Sequence, residues 1–249
     1  MHTSNPDLIP EIIEILRSNN RVTVLTGAGI SAESGVPTFR DAQTGLWSKF
    51  QPTELATPQA FRQNPKLVWE WYTWRREIIK KALPNPAHFA LAEMEKLFPE
   101  FVLITQNVDR LHRIAGNERI IELHGDIFKT KCSVENIAVK DWPDKGDIPP
   151  LCPHCGGMLR PDVVWFGESL PARILEAAWE AASSCQVFLA IGTSSVVEPA
   201  ASLPIVALHN SAVVIEINSQ DTPLSGIANY SLKGAAGDIL PRLVSGLNR

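Results

Sequence analysis

Residues 22–26 of this 249-residue chain are apolar or β-branched and run directly into Gly27-Ala28-Gly29-Ile30-Ser31-Ala32. This fits G-x-G-x-x-G/A. A first glycine permits a tight turn, a second lets a phosphate approach the backbone, and a small third residue lets the next helix pack closely. The helix start then offers free N–H groups and a positive dipole end to a pyrophosphate. Glycine-rich turns after strands are common, so the pattern alone also fits a plain tight turn. No acidic residue closes a second strand about twenty residues on, as an ordinary Rossmann dehydrogenase would have. Instead the chain continues Glu33-Ser34-Gly35-Val36-Pro37-Thr38-Phe39-Arg40-Asp41, a loop suited to cover a cofactor. A dinucleotide is indicated; hydride transfer is not.

A second polar cluster, Gln106-Asn107-Val108-Asp109, follows the apolar run at 101–105, and a third, His124-Gly125, follows the run at 120–123. In open α/β sheets, ligands sit beyond the carboxyl ends of the strands, so these side chains are placed toward a ligand. Asn107 or Asp109 alone could equally cap a helix. A lone His124 could be structural, although an imidazole suits general-base work near neutrality. Tyr72 and Arg75 are three residues apart and share a face if 65–83 is helical. A guanidinium binds a carboxylate bidentately and a phenol can add a hydrogen bond; an amphipathic helix with a solvated Arg gives the same spacing. Cys132, Cys152 and Cys155 fall close together, a metal-site pattern in a reducing compartment. Glu135 could add a carboxylate ligand to zinc. His154 is another candidate, and Pro-rich packing without zinc a third possibility. Cys185 precedes an apolar strand and reads as a buried small hydrophobe.

The elements that must position these residues alternate. Apolar runs at 22–26, 101–105, 120–123, 187–191 and 213–217 predict strands, and 87–97, 172–182 and 199–208 predict helices between several of them. A first helix is expected from the near-helical spacing of Leu8, Ile12, Ile13, Ile15 and Leu16. The fold class is therefore α/β: a Rossmann-like, mostly parallel sheet with helices on both faces. The Trp- and Pro-rich stretch 41–84 and the Cys-containing stretch 129–158 break the rhythm and read as inserts forming a smaller lobe. The large lobe would comprise 1–40, 85–128 and 159–249. Hydrophobic residues make up 45% of the chain, enough for a real core, and the net charge of −4 gives no basic excess for nucleic acid. No run is apolar for long enough to cross a membrane, and the start lacks the basic-then-apolar order of a signal peptide.

Gly27-Ala28-Gly29-Ile30-Ser31 with Gly35 and Thr38-Phe39-Arg40, then Gln106-Asn107-Val108-Asp109, then His124-Gly125, then Gly192-Thr193-Ser194, together resemble the sirtuin family. The motifs keep the family's order and span nearly the whole chain, as one catalytic domain of 1–249. The resemblance implies NAD-dependent removal of an acyl group from protein lysine. The acyl oxygen attacks the ribose anomeric carbon, nicotinamide leaves, and O-acyl-ADP-ribose and free lysine result. It assigns His124 as the base that accepts a ribose hydroxyl proton, and Asn107 and Asp109 to the nicotinamide and its ribose. Gly27, Ala28, Gly29, Ser31, Thr38, Phe39, Arg40, Gln106, Gly192, Thr193 and Ser194 would hold the rest of NAD, with Asn218 and Ala236 on the adenosine side. Val164, Phe166, Gly167 and Glu168 resemble the segment that pairs with an acyl-lysine peptide by strand addition. The pair Tyr72 and Arg75, with small Ala56, resembles members that remove succinyl, malonyl or glutaryl groups. Family metal sites usually show two Cys-x-x-Cys pairs; here Glu135 stands where the fourth Cys is expected, and structural zinc is expected on Cys132, Cys152 and Cys155. The expected partners are acylated lysine peptides, with no nucleic acid or membrane, and the enzyme is expected to be cytoplasmic and monomeric. Mono-ADP-ribosyl transfer, a silent NAD sensor and a zinc-ribbon nucleic-acid binder are the competing readings. His124 and the peptide segment favour deacylation over the first. Asn107, Asp109 and His124, all present, argue against the second, and acidity against the third.

Overall fold

Strands buried on both faces read as nearly continuous apolar runs, and the central strands here are of that kind. The computed structural model describes residues 8–38, 51–143 and 146–249. A six-stranded parallel sheet has the order β3-β2-β1-β6-β7-β8, with β1 Arg21–Thr26, β2 Glu100–Thr105, β3 Ile120–Glu122, β6 Val187–Ile191, β7 Val213–Asn218 and β8 Tyr230–Lys233. The order reverses between β1 and β6, so the crevice for a ligand opens beyond the carboxyl ends of those two strands.

Both sheet faces are covered. Helices α1 (Ile9–Arg17), α6 (Pro86–Leu97) and α10 (Ala236–Leu247) bury Ile12, Leu16, Leu91, Met94, Leu240 and Leu243 against one face. Helices α8 (Ala172–Ser184) and α9 (Leu203–His209) cover the other with Ala178, Ala182, Leu203 and Ala207. The stretch expected as one helix over 199–208 divides into a 3-10 turn, Ala200–Ser202, and α9. The short edge strand β8 and helix α10 are additional to the sequence reading. Only four residues long and half-exposed, β8 leaves no alternation to detect.

The smaller part of the molecule has two pieces. Helices α3 (Pro52–Leu55), α4 (Pro58–Gln63) and α5 (Pro65–Ile79) form the first. Thr57 and Asn64 side chains accept from Ala60 N and Leu67 N, and a proline follows each cap, a favourable helix start. Helix α5 ends at Ile79 rather than at 83. The second piece is an antiparallel pair, β4 (Gly125–Cys132) and β5 (Leu159–Val163), from which the cysteine segment extends. Among the described residues, no helix is long and apolar enough to cross a membrane.

Candidate active site

At the reversal of strand order, two loops meet backbone to backbone. Gly29 N donates to Gly192 O at 2.8 Å and Gly27 N to Ile191 O at 3.1 Å. A Cβ on Gly29 would lie 2.7 Å from Gly192 O, and one on Gly27 would lie 2.7 Å from Thr193 Cα. Both glycines are thus required by the neighbouring loop, beyond any phosphate they admit. Helix α2 (Ala28–Ala32) has only five residues, so the cradle owes more to this backbone approach than to a long helix dipole. Cβ-free backbone at a switch point suits a dinucleotide phosphate. Gln106 Nε2 donates to Thr193 Oγ1 at 2.9 Å and Asn218 Nδ2 to Thr193 O at 2.6 Å. Residues from the ends of β2, β6 and β7 are thereby tied into one rim. Ser194 follows in the β6 loop, and Ala236 opens α10, buried behind the cradle. Thr38 ends the described part of the cover loop; Phe39 and Arg40 lie outside the described residues.

Beneath the rim is a buried polar layer. Asn107 Nδ2 donates to Gly27 O and to Ser31 Oγ, each at 3.0 Å. Ser31 Oγ donates to Asp109 Oδ2 at 2.8 Å, while Asp109 Oδ1 accepts from Leu111 N at the start of α7 (Leu111–Ala115). Asp109 therefore ties the turn before α7 to the Ser31 hydroxyl. Burial raises its pKa, opposed by the Leu111 N–H and the Ser31 hydroxyl. Two further histidines join the layer. His88 Nε2 lies 3.4 Å from Ser31 Oγ, His112 Nε2 lies 3.0 Å from Thr26 Oγ1, and the two rings are 4.8 Å apart. Burial holds His88 down to about 4, and burial, with a second imidazole beside it, holds His112 well below its ordinary value. Sequence reasoning missed His88. Its signal was Asn85-Pro86-Ala87-His88, a capping box in which His88 takes the place of the usual Glu or Gln.

His124 lies between β3 and β4. Its Nδ1 is 2.9 Å from Gln106 O. A carbonyl only accepts, so Nδ1 carries the proton and Nε2 keeps a lone pair for a base. Burial pushes its pKa below the ordinary imidazole value, against the pull of the Gln106 carbonyl. His124 O also accepts from Val164 N at 2.9 Å, and Phe166 N donates to Ala56 O at 2.9 Å. The segment after β5 is thus tied to the histidine on one side and to the helical insert on the other. Gly167 adopts φ +85°, while Glu168 spends both carboxylate oxygens inside the protein, on Arg160 and Trp165 N.

Ala56, Trp71, Tyr72, Val163 and Trp165 share one apolar cluster between α5 and β5. Tyr72 is 1% exposed and Arg75 5% exposed. The Arg75 guanidinium stacks 5.2 Å from the Trp71 ring centre. The expected alternative, a solvated Arg on an amphipathic helix, is overturned by this burial. Desolvation lowers the Arg75 pKa and pushes Tyr72 up to about 12.

The three cysteines converge as expected, and Glu135 joins them. Cys132 Sγ and Cys155 Sγ are 3.4 Å apart, Cys152 Sγ is 3.8 Å from Glu135 Oε2, and all four ligand atoms lie within 4.8 Å of one another. Zinc–sulfur bonds of about 2.3 Å in a tetrahedron separate ligand atoms by about 3.8 Å, so this donor set fits a zinc ion. His154 is exposed and outside the cluster.

Comparison with known proteins finds likenesses along the whole chain. The Sir2 family model matches residues 27–199. An NAD-dependent protein deacylase of Aquifex aeolicus (strain VF5) is 54% identical over 226 residues, covering 90% of this chain and 94% of the relative. A crystal structure of a Sir2 homolog–NAD complex superposes with a TM-score of 0.91 at 45% identity, covering 100% of this chain and 96% of that one. A mutant Sir2 homologue bound to 2'-O-acetyl ADP ribose superposes with a TM-score of 0.87 at 46% identity over 96% of each chain. Agreement of this extent, in sequence and in three dimensions, means that the chain belongs to the Sir2 family and is an NAD-dependent protein deacylase.

Proposed function

We propose that this deacylase prefers lysines bearing an acidic acyl group, succinyl or malonyl, and retains deacetylation as a secondary activity. The observation that carries the preference is Arg75, a guanidinium 5% exposed within an aromatic cluster, one helical turn from the buried Tyr72 hydroxyl. A guanidinium beside a phenol offers a carboxylate on the acyl chain both opposite charge and a bidentate fit. Ala56 packs in the same cluster as Tyr72, and its small side chain would leave room for a longer acyl chain.

The remaining roles are those that membership of the family implies, and the site's geometry supports them. Bound NAD supplies the ribose carbon that receives the acyl group and the nicotinamide that leaves. Gly27, Ala28, Gly29, Ser31 and Thr38, with Gln106, Gly192, Thr193 and Ser194, hold its phosphates and riboses, and Asn218 and Ala236 flank the adenosine. Asn107 and Asp109 orient the nicotinamide end through the Ser31 network. His124 Nε2 accepts a ribose hydroxyl proton, since Nδ1 is committed to Gln106 O. Val164, Phe166 and Gly167 lie on the segment proposed to meet the acyl-lysine peptide, and Glu168 braces that segment through Trp165 N. Zinc on Cys132, Glu135, Cys152 and Cys155 folds the small lobe and takes no part in the chemistry. Three cysteines gathered in the manner of a metal site fit a reducing compartment, the cytoplasm, as the place of action.

The test compares succinyl- and acetyl-lysine versions of one peptide, with and without NAD, by mass spectrometry of products and by kcat/KM. Succinyl-lysine is the better substrate, and Arg75→Met lowers kcat/KM for it by about 10–100-fold, the worth of a charge-assisted pair. Equal losses on both peptides would sink the carboxylate clamp.

A further inference from the structure

Trp165 Nε1 donates to the Tyr72 hydroxyl at 2.9 Å, across 93 residues of sequence. An indole nitrogen can only donate, so the phenol oxygen must be the acceptor in this bond. Trp165 is 2% exposed and Tyr72 1% exposed, so bulk water does not compete for either group. The phenol's own proton is left to find a different acceptor. Burial holds that proton in place, with the Tyr72 pKa raised to about 12.

The indole is itself fixed from several sides. The Arg160 guanidinium lies 3.3 Å over its ring. Arg160 in turn reaches Glu168 through two bonds, of 2.5 Å and 2.9 Å, and Glu168 Oε2 accepts from Trp165 N at 2.9 Å. The Phe61 ring packs on the indole at 5.2 Å between centroids. The N–H is thus held in one direction by Arg160, Glu168 and Phe61.

We propose that Trp165 is a positioning residue for acyl-group selection: its N–H occupies the acceptor face of the Tyr72 hydroxyl and turns that hydroxyl's proton toward the carboxylate of an acidic acyl chain. The inference rests on the acidic-acyl reading above. It adds that the hydroxyl's orientation, set from the substrate segment, is part of specificity alongside the Arg75 charge. A phenylalanine at 165 would keep an aromatic ring against Phe61 and Arg160 while removing the N–H.

The experiment measures KM and kcat for succinyl- and acetyl-lysine versions of one peptide with the wild type, Trp165→Phe, and a variant carrying β-(3-benzothienyl)alanine at 165. The last matches the indole in shape but has no N–H, and it serves if Trp165→Phe folds poorly. The succinyl-to-acetyl KM ratio is expected to rise about tenfold in both variants, the scale of one hydrogen bond, with kcat for the two peptides changed in parallel. On a Tyr72→Phe background the same replacements should leave the ratio where Tyr72→Phe sets it. An unchanged KM ratio in the benzothienyl variant, or a further change on the Tyr72→Phe background, overturns the inference. A wild type that does not favour the succinyl peptide overturns the acidic-acyl reading beneath it, and that result is visible before any variant is measured.

Discussion

The nucleotide cradle and the proposed acyl pocket are built by opposite means. In the cradle, backbone packs on backbone: Gly27 and Gly29 press on Gly192 and Thr193, and no side chain fits between them. In the acyl pocket, side chains pack on side chains, with Tyr72, Trp165, Arg160 and Glu168 linked by their polar ends and stacked rings. A surface made of backbone offers the same groups whatever the sequence around it, so it suits a ligand that never changes. A surface made of side chains can be retuned one residue at a time, which suits a substrate group that differs among relatives. Damage to the cradle or the base should therefore reduce all acyl substrates alike, whereas damage to the pocket should re-rank them.

The sharpest test of that division is the base. His124→Ala should reduce kcat by about 10²–10⁴-fold on succinyl and acetyl peptides equally, with NAD affinity measured by calorimetry kept within severalfold. Loss of NAD binding would make the histidine a structural member of the cradle. The wild-type acidic limb of kcat should fall below the ordinary imidazole value of about 6.5, because burial lowers the His124 pKa and keeps the base neutral to lower pH. A limb above that value would break the assignment.

Gly29→Ala comes next in size. Its Cβ would meet Gly192 O at 2.7 Å, and overpacking of this kind costs about 1–3 kcal/mol. The melting temperature should fall by about 2–10 °C, and kcat/KM should drop by one factor for both acyl groups. A changed ratio between the two would mean that cradle and pocket are not separable.

The smallest effect is expected at the metal cluster. Purified protein should hold about one zinc per chain, and Glu135→Ala should speed zinc release to a chromogenic chelator by about tenfold while leaving the succinyl-to-acetyl preference alone. Zinc release at the wild-type rate would remove Glu135 from the ligand set.

The same contrast explains what could be read from the sequence. Gly27, Gly29, Asn107, Asp109 and His124 stand out because each sits at the end of an apolar run, where a parallel sheet puts its ligands. Cys152 and Cys155 stand out by spacing, and Glu135 by its place relative to Cys132. The bond between Trp165 and Tyr72 has no local signature, since it joins a helix to a loop far along the chain. Glu168 read as one of the residues facing the peptide, but its oxygens are engaged by Arg160 and a backbone N–H. His88 falls inside the helix expected over 87–97, and its role depends on a cap at Asn85 that lies outside that span. Strands β4 and β5 escaped notice because a β-bulge between Asp126 and Thr130 disturbs their alternation.

His124 is gripped twice, by its ring through Gln106 O and by its main chain through Val164 N. A side chain free to turn would have to be ordered in every catalytic cycle, at a penalty in rotamer entropy. Here that ordering is completed once, when the chain folds. The second grip also joins the base to the proposed peptide-binding segment, so a substrate docking along Val164 as proposed would arrive in register with the proton acceptor. Strain anywhere on that segment, from a poorly fitting sequence around the lysine, is transmitted to the base as misalignment. Peptide sequence would then be read out in turnover as well as in affinity.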